Sequence, residues 1–177
     1  MSEQTPSQTI GPFFHFALPY AGGPELTAGQ RADAVRLHGT VLDGAGAPVA
    51  DALVELWQAD AAGAASRSLG SLERDGYAFT GFGRAATDRA GHYGFSTVLP
   101  GTGFATLALF ARGLTHHLFT RAYFDDRPGL IPAAVPPERR ATLLAVPDGE
   151  RSYRFDIRMQ GEGETVFLEY PCLPEHP

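Results

Sequence analysis

Glycine and proline interrupt this sequence so often that they leave no room for long helices. The 21 glycines and 14 prolines make up about a fifth of the 177 residues. Short runs rich in valine, leucine, phenylalanine and tyrosine lie between them, and turn residues recur roughly every 10–15 positions. Several short strands at such spacing, without helical segments between them, indicate an all-β sandwich or barrel.

The apolar runs have the patterns of individual strands. In residues 92–99, the larger side chains Tyr93, Phe95 and Thr97 recur at every second position, which is the period of a β-strand. Residues 52–58 are apolar on both faces, which predicts an interior strand, with Trp57 packed in the core. The proline pair 136–137 predicts one short helix within 131–145. The predicted strands are residues 35–42, 52–58, 83–88, 92–99, 104–112, 117–124, 152–159 and 165–170.

We therefore predict a β-sandwich of mostly antiparallel strands, with long irregular loops and at most one or two short helices. The chain length favours one domain, and neither an internal repeat nor a linker divides it, so residues 1–177 are predicted to form a single domain. Residues 1–30 look irregular, yet Phe13, Phe14 and Phe16 make them too apolar for a free tail. We expect this N-terminal segment to pack on the core or on a partner chain.

Composition excludes several classes of function. The net charge is −6 and no block of lysine and arginine occurs, which argues against binding to nucleic acid or to an anionic membrane. Cys172 is the only cysteine, so an internal disulfide and a multi-cysteine zinc site are both excluded. The first residues are polar and no apolar run approaches the ~20 residues of a membrane span. A cytoplasmic protein is expected.

General motifs reveal no catalytic centre. Residues 81–86 match a loose dinucleotide fingerprint, but a strand is predicted where the motif requires the N-terminus of a helix. His116 and His117 are adjacent, so in an extended chain they point to opposite faces and cannot share one metal ion. We expect them to be exposed at a strand entry.

Longer strings in the sequence are more specific, and they resemble the intradiol ring-cleavage dioxygenases. The resemblance covers about residues 5–170, nearly the whole chain. In the second half it narrows to one branch of the family, in which two homologous chains work together. The strings in the first half are TPSQT (5–9), GPFF (11–14), VELWQAD (54–60), FGR (82–84), TD (87–88) and GHYGF (91–95). Those in the second half are LFARG (109–113), TRAYFDD (120–126), YRFDIR (153–158) and QGEGETVF (160–167).

The resemblance implies that the iron is carried by a partner. In this branch a homologous β chain holds one non-haem Fe(III) through two tyrosinates and two histidines, and the α chain has lost these ligands. The matching histidine positions here are Phe104 and Thr106, and Thr102 stands near the place of one tyrosine. Arg121 occupies a position where the catalytic chain carries glutamine. The resemblance therefore implies no catalytic residue and no metal on this chain.

The implied reaction is the O₂-dependent cleavage of 3,4-dihydroxybenzoate (protocatechuate) to 3-carboxy-cis,cis-muconate by a higher-order assembly of αβ pairs. In the family the opening segment of the α chain helps to wall the partner's substrate pocket. The matching residues here are Thr9, Gly11, Pro12 and Phe13, with Phe13 in place of the branch's usual tyrosine. Arg112 matches an α-chain arginine that reaches toward the active site. It can equally be an ordinary strand-end arginine paired with a carboxylate.

Two other functions remain open at this point. A non-enzymatic β-sandwich binding module would also lack the iron ligands, although it would not explain the strings at 5–14 and 153–167. A self-sufficient homo-oligomeric catechol dioxygenase would need ligands that are missing at three separate positions.

Overall fold

The computed structural model describes residues 8–9, 11, 13–28, 31–66 and 77–169. Nine strands form two sheets in this part of the chain, and they are accompanied by two short helices. The helices are α1 (Phe14–Ala17) and a 3₁₀ helix (Pro137–Leu143). The strands are β1 (Ala34–Leu42), β2 (Leu53–Trp57), β3 (Phe82–Ala86), β4 (His92–Val98), β5 (Phe104–Phe110), β6 (Leu118–Tyr123), β7 (Val146–Gly149), β8 (Ser152–Arg154) and β9 (Ile157–Arg158).

The two sheets form a β-sandwich, as the sequence predicts. The first has the strand order β4-β1-β8-β7, with β9 also paired to β1, and the second has the order β3-β2-β5-β6. All pairings are antiparallel except those of β1 with β8 and β9, which are parallel. One apolar cluster joins the facing sides, with Leu37 and Phe95 from the first sheet and Leu56 and Leu107 from the second. These four side chains are almost completely buried.

A close backbone contact explains how β1 pairs with two successive strands. The chain crosses at residues 155–156 between β8 and β9, where the Phe155 amide donates to the His38 carbonyl at 2.7 Å. The buried Tyr93 hydroxyl donates to the Phe155 carbonyl at 2.6 Å. A Cβ atom on Gly39 would collide with that same carbonyl, so only glycine allows the crossing segment to lie this close to β1.

Glu25 and Leu26, in the described part of the N-terminal segment, lie against the sandwich. The Leu26 amide donates to the Ser96 carbonyl at 2.8 Å, and Glu25 forms an isolated bridge with Ser96. Leu26 itself is completely buried in the main core. No helix in the described residues is long and apolar enough to span a membrane.

Some local predictions are wrong. Trp57 is 55% exposed rather than packed in the core. It is the last residue of β2 and lies on the outer face, where the described residues cover it only in part. The predicted strand 152–159 is split into β8 and β9 by the crossing at 155–156. Residues 165–169 form no regular strand, and residue 170 lies outside the described residues. The strand β7 and the helix α1 were not predicted.

Candidate functional site

The outer face of the second sheet carries the residues that the sequence singled out. Because side chains alternate along a strand, Phe82, Trp57, Thr106 and Arg121 share one row across β3, β2, β5 and β6, on the face opposite Leu107. The inner face belongs to the sandwich core. Of the two faces of this sheet, the outer one is therefore the face on which a site can form.

A cavity of about 350 Å³ opens on this face, at the start of β5. Its walls are mainly apolar. The Trp57 ring packs against Phe82 with centroids 4.3 Å apart, and the Arg121 guanidinium lies over the Phe104 ring at 4.3 Å from its centroid. Its principal lining residues are Trp57, Gln58, Thr80, Thr102, Phe104 and Thr106.

Gln58 lines this cavity and carries a buried hydrogen-bond acceptor. Its side-chain nitrogen donates to the Val98 carbonyl at 2.8 Å and to the Ala59 carbonyl at 3.2 Å, which fixes the orientation of the amide. Its Oε1 atom is buried and has no hydrogen-bond partner in the structure as described. Buried polar atoms are normally paired, so this acceptor is unusual.

The cavity brings together the three positions that the resemblance aligned with iron ligands, namely Thr102, Phe104 and Thr106. The described lining residues supply hydroxyl and amide groups, whereas the ferric site that the resemblance implies is held by two tyrosinates and two histidines. Across the described ranges, no group of three or more histidine, cysteine, aspartate or glutamate residues could hold a metal ion. The donor set of the cavity does not fit a ferric ion.

Two of the other predicted site residues, Thr9 and Arg112, lie at the opposite end of β5. The Gly113 amide donates to the Thr9 hydroxyl at 3.0 Å, which places Thr9 beside Arg112. A Cβ atom on Gly11 would meet nothing within 4 Å, and the Phe13 side chain is 74% exposed. Pro12 lies outside the described residues. Thr106 and Arg112 are six residues apart along the chain, which corresponds to roughly 20 Å at the rise of an extended strand.

Arg112 is paired with a carboxylate. Its Nη2 atom lies 2.5 Å from Oδ2 of Asp51, whose side chain is 16% exposed, while the Arg112 side chain is 64% exposed. The sequence analysis left such an ion pair open as the alternative to an arginine that reaches toward the active site. The pairing holds one side of the guanidinium and leaves much of its surface open to solvent.

A second arginine anchors the N-terminal segment to the outer face. Arg84 donates from Nε and Nη2 to Oε1 of Glu55 at 2.9 and 2.5 Å, and from Nη1 to the Leu18 carbonyl at 2.9 Å. Its guanidinium also lies 5.8 Å from the Tyr20 ring centroid. The sequence analysis predicted neither the contacts of Arg84 nor the pairing of Arg112 with Asp51. Glu55 and Arg84 do occur in the family-like strings, but nothing in one sequence shows that they pair.

Comparison with known proteins agrees with the strings in the sequence. The family model described as Dioxygenase (Dioxygenase_C) matches residues 25–108. The protocatechuate 3,4-dioxygenase alpha chain of Pseudomonas putida is 41% identical in an alignment of 198 positions, gaps included, which covers 94% of this chain and 96% of that protein. The chain belongs to the intradiol ring-cleavage dioxygenase family.

Two further relatives show how broad the similarity is. The protocatechuate 3,4-dioxygenase beta chain of Burkholderia cepacia is 30% identical in an alignment of 183 positions, gaps included, which covers 94% of this chain and 74% of that protein. The crystal structure of hydroxyquinol 1,2-dioxygenase from Pseudomonas putida DLL-E4 superposes with a TM-score of 0.57 at 20% identity, covering 89% and 67% of the two chains. The chain is thus similar to both subunit types of protocatechuate 3,4-dioxygenase, and it has the fold of a second dioxygenase.

Proposed function

We propose that this chain is the non-catalytic, alpha-type subunit of a protocatechuate 3,4-dioxygenase, in which a homologous beta chain carries the Fe(III). The observation that carries the proposal is the cavity at the start of β5. Its Thr102, Phe104 and Thr106 lack the donors that a ferric ion needs. The chain is also 41% identical to a protocatechuate 3,4-dioxygenase alpha chain.

The proposed complex joins O₂ to 3,4-dihydroxybenzoate and opens the ring between the two hydroxyl-bearing carbons. Both oxygen atoms enter the product, 3-carboxy-cis,cis-muconate, so no reductant is consumed. The partner's ferric ion would make the bound aromatic ring reactive toward O₂. We expect this single-domain chain to act in the cytoplasm and to contribute assembly and pocket shape within a higher-order αβ assembly.

The surface proposed to wall the partner's substrate pocket consists of Thr9, Gly11, Pro12, Phe13 and Arg112. Two observations support it. The Phe13 and Phe16 side chains are 74% and 75% exposed, and aromatic residues are enriched in protein interfaces. Thr9 and Arg112 lie side by side through the Gly113 amide.

Arg112 is proposed to favour the carboxylate of the substrate. A guanidinium binds carboxylates through paired hydrogen bonds, so it would favour protocatechuate over unsubstituted catechol. Asp51 restrains one side of the Arg112 guanidinium and leaves the remainder available. The ion pair is thus compatible with a substrate-facing role, because Asp51 positions the group that would contact the substrate.

Steady-state kinetics of the complex with its beta chain test this function. Arg112→Ala is expected to raise KM for protocatechuate about tenfold and to change KM for catechol less than about twofold, since a hydrogen bond to a charged group contributes about 1.5–3 kcal/mol. Val146→Ser is the control, because Val146 is an exposed apolar residue on β7 of the other sheet. Equal effects on both substrates would contradict the role of Arg112. Absence of ring cleavage by the native complex would contradict the proposed function itself.

A further inference from the structure

A second cavity is a groove on the outer face of the first sheet, with a volume of about 430 Å³. Arg36 of β1 and Ser96 of β4 are register partners that alternate with buried neighbours, so their side chains point away from the core. Arg151, in the turn between β7 and β8, also lines the groove. Its described lining contains these two arginines and no acidic residue, so the groove is positively charged in a chain whose net charge is −6.

Neither Arg36 nor Arg151 forms an ion pair with a carboxylate of the described residues. Asp148 does interact electrostatically with Arg36, but its carboxylate lies 2.8 Å from Nε2 of His38 and is not among the described groups that line the groove. The two guanidinium groups therefore remain open to an anion from solution. By contrast, five other arginines lie within 2.8 Å of a carboxylate oxygen, namely Arg31, Arg84, Arg112, Arg127 and Arg154.

The two arginines extend toward opposite ends of the groove. Nη1 of Arg151 donates to the carbonyls of residues 31–32, both at 3.2 Å, and these neutral acceptors orient the guanidinium without cancelling its charge. Residues 31–32 precede β1. Nε of Arg36 lies instead 3.8 Å from the position of a Cβ atom on Gly94, which is the register partner of His38 further along β1. Two separated cations favour a ligand with an anionic group at each end over a single compact anion.

We propose that this groove reversibly binds a small aliphatic dicarboxylate, with one carboxylate on Arg36 and the other on Arg151. The guanidinium fork matches a carboxylate, and the Ser96 hydroxyl beside Arg36 supplies a further donor. The carbon chain lies over the sheet between the two arginines, and the volume is within the ~300–1,000 Å³ usual for small-molecule pockets. The groove is on the other sheet from the β5 cavity and from Arg112, so loss of this binding would leave the proposed function untouched.

Amide NMR signals of the full-length chain, labelled with ¹⁵N, test the proposal in a titration with adipate at constant ionic strength. We expect saturable shifts confined to residues 34–36, 94–96 and 151, with a Kd of about 1–10 mM. Hexanoate has the same chain length and only one carboxylate, so it should bind at least about threefold more weakly, as should inorganic phosphate. No saturable shift in these residues up to about 50 mM adipate would overturn the proposal. Equal binding of hexanoate or phosphate would overturn the assignment to a dicarboxylate.

Matched variants assign the site. Arg36→Gln and Arg151→Gln should each weaken adipate binding at least about threefold and remove the preference over hexanoate. Arg127→Gln makes the same change of charge outside the groove and should leave binding unchanged. Gly94→Leu fills the groove and should abolish the saturable shifts, while its Cβ atom meets only contacts of 3.5–3.9 Å that the fold can accommodate. If Arg151→Gln disturbs the β7–β8 turn, Arg36→Gln decides. Binding by Arg36→Gln as tight as by Arg127→Gln would overturn the assignment.

Discussion

The two faces of the β3-β2-β5-β6 sheet are built from the same strands and differ in almost every respect. On β5, Leu107 and Leu109 point inward and are completely buried in the core. Phe104 and Thr106 alternate with them and line a cavity on the outer face. The comparison shows that the inner face determines the fold, while the outer face can change its chemistry without disturbing the sandwich.

A second contrast runs along β5. Its start carries a cavity whose residues do not fit a metal ion, and its end carries Thr9 and Arg112, which face solvent. The two regions are roughly 20 Å apart. They can therefore be altered independently.

The largest expected effect is on the inner face. Leu107→Ala should lower the free energy of unfolding by about 2–5 kcal/mol, since it leaves a cavity in a completely buried cluster. Thr106→Ala, one position away on the outer face, should cost less than about 1 kcal/mol. Urea denaturation measures both. Similar losses for the two variants would show that the faces are not energetically distinct.

The Arg84 anchor is expected to contribute less and to act locally. Arg84→Met removes both hydrogen bonds to Glu55 and the donor to the Leu18 carbonyl, leaving a mostly buried carboxylate unpaired, so we expect a loss of about 1–3 kcal/mol. Hydrogen exchange should show lower protection in residues 13–20 and none lost in β5. Arg127→Met is the control, because its pair with Asp125 is largely exposed. Unchanged protection of residues 13–20 would contradict the anchoring role.

The smallest expected effect depends on pH. Burial, together with the negative charge of Asp156, raises the pKa of Tyr93 well above its usual value. The folded protein keeps this hydroxyl protonated while the unfolded chain ionises near pH 10, so the contribution of Tyr93 to stability should be constant below about pH 10 and be lost above it. Tyr93→Phe should cost about 0.5–1.5 kcal/mol at neutral pH, by losing the bond to the Phe155 carbonyl, and should reduce this alkaline slope. An unchanged slope would count against the buried hydroxyl as its source.

The sequence predicts the sandwich well because alternating apolar residues show which side chains share a face. It does not show what covers that face, and for this reason Trp57 was wrongly expected in the core. The crossing between β8 and β9 was missed as well, since it depends on the close approach of Phe155 to Gly39 rather than on any local pattern.

The candidate site was predictable only in part. Resemblance identified Thr102, Phe104 and Thr106, and the structure brings them into one cavity. The partners Asp51 for Arg112 and Glu55 for Arg84 were not predictable, because these pairs arise from strand register and loop position. The acceptor on Gln58 could be found only once its amide orientation was known.

The most direct test of the proposed division of labour is to measure bound iron and visible tyrosinate-to-iron absorption. The measurement is made first on the purified chain and then on its complex with the beta chain. We predict that the chain alone is colourless and free of iron, and that the complex is coloured and cleaves protocatechuate. Stoichiometric iron and ring cleavage by the chain alone would contradict the proposal, because they would require a ferric site that its cavity does not provide.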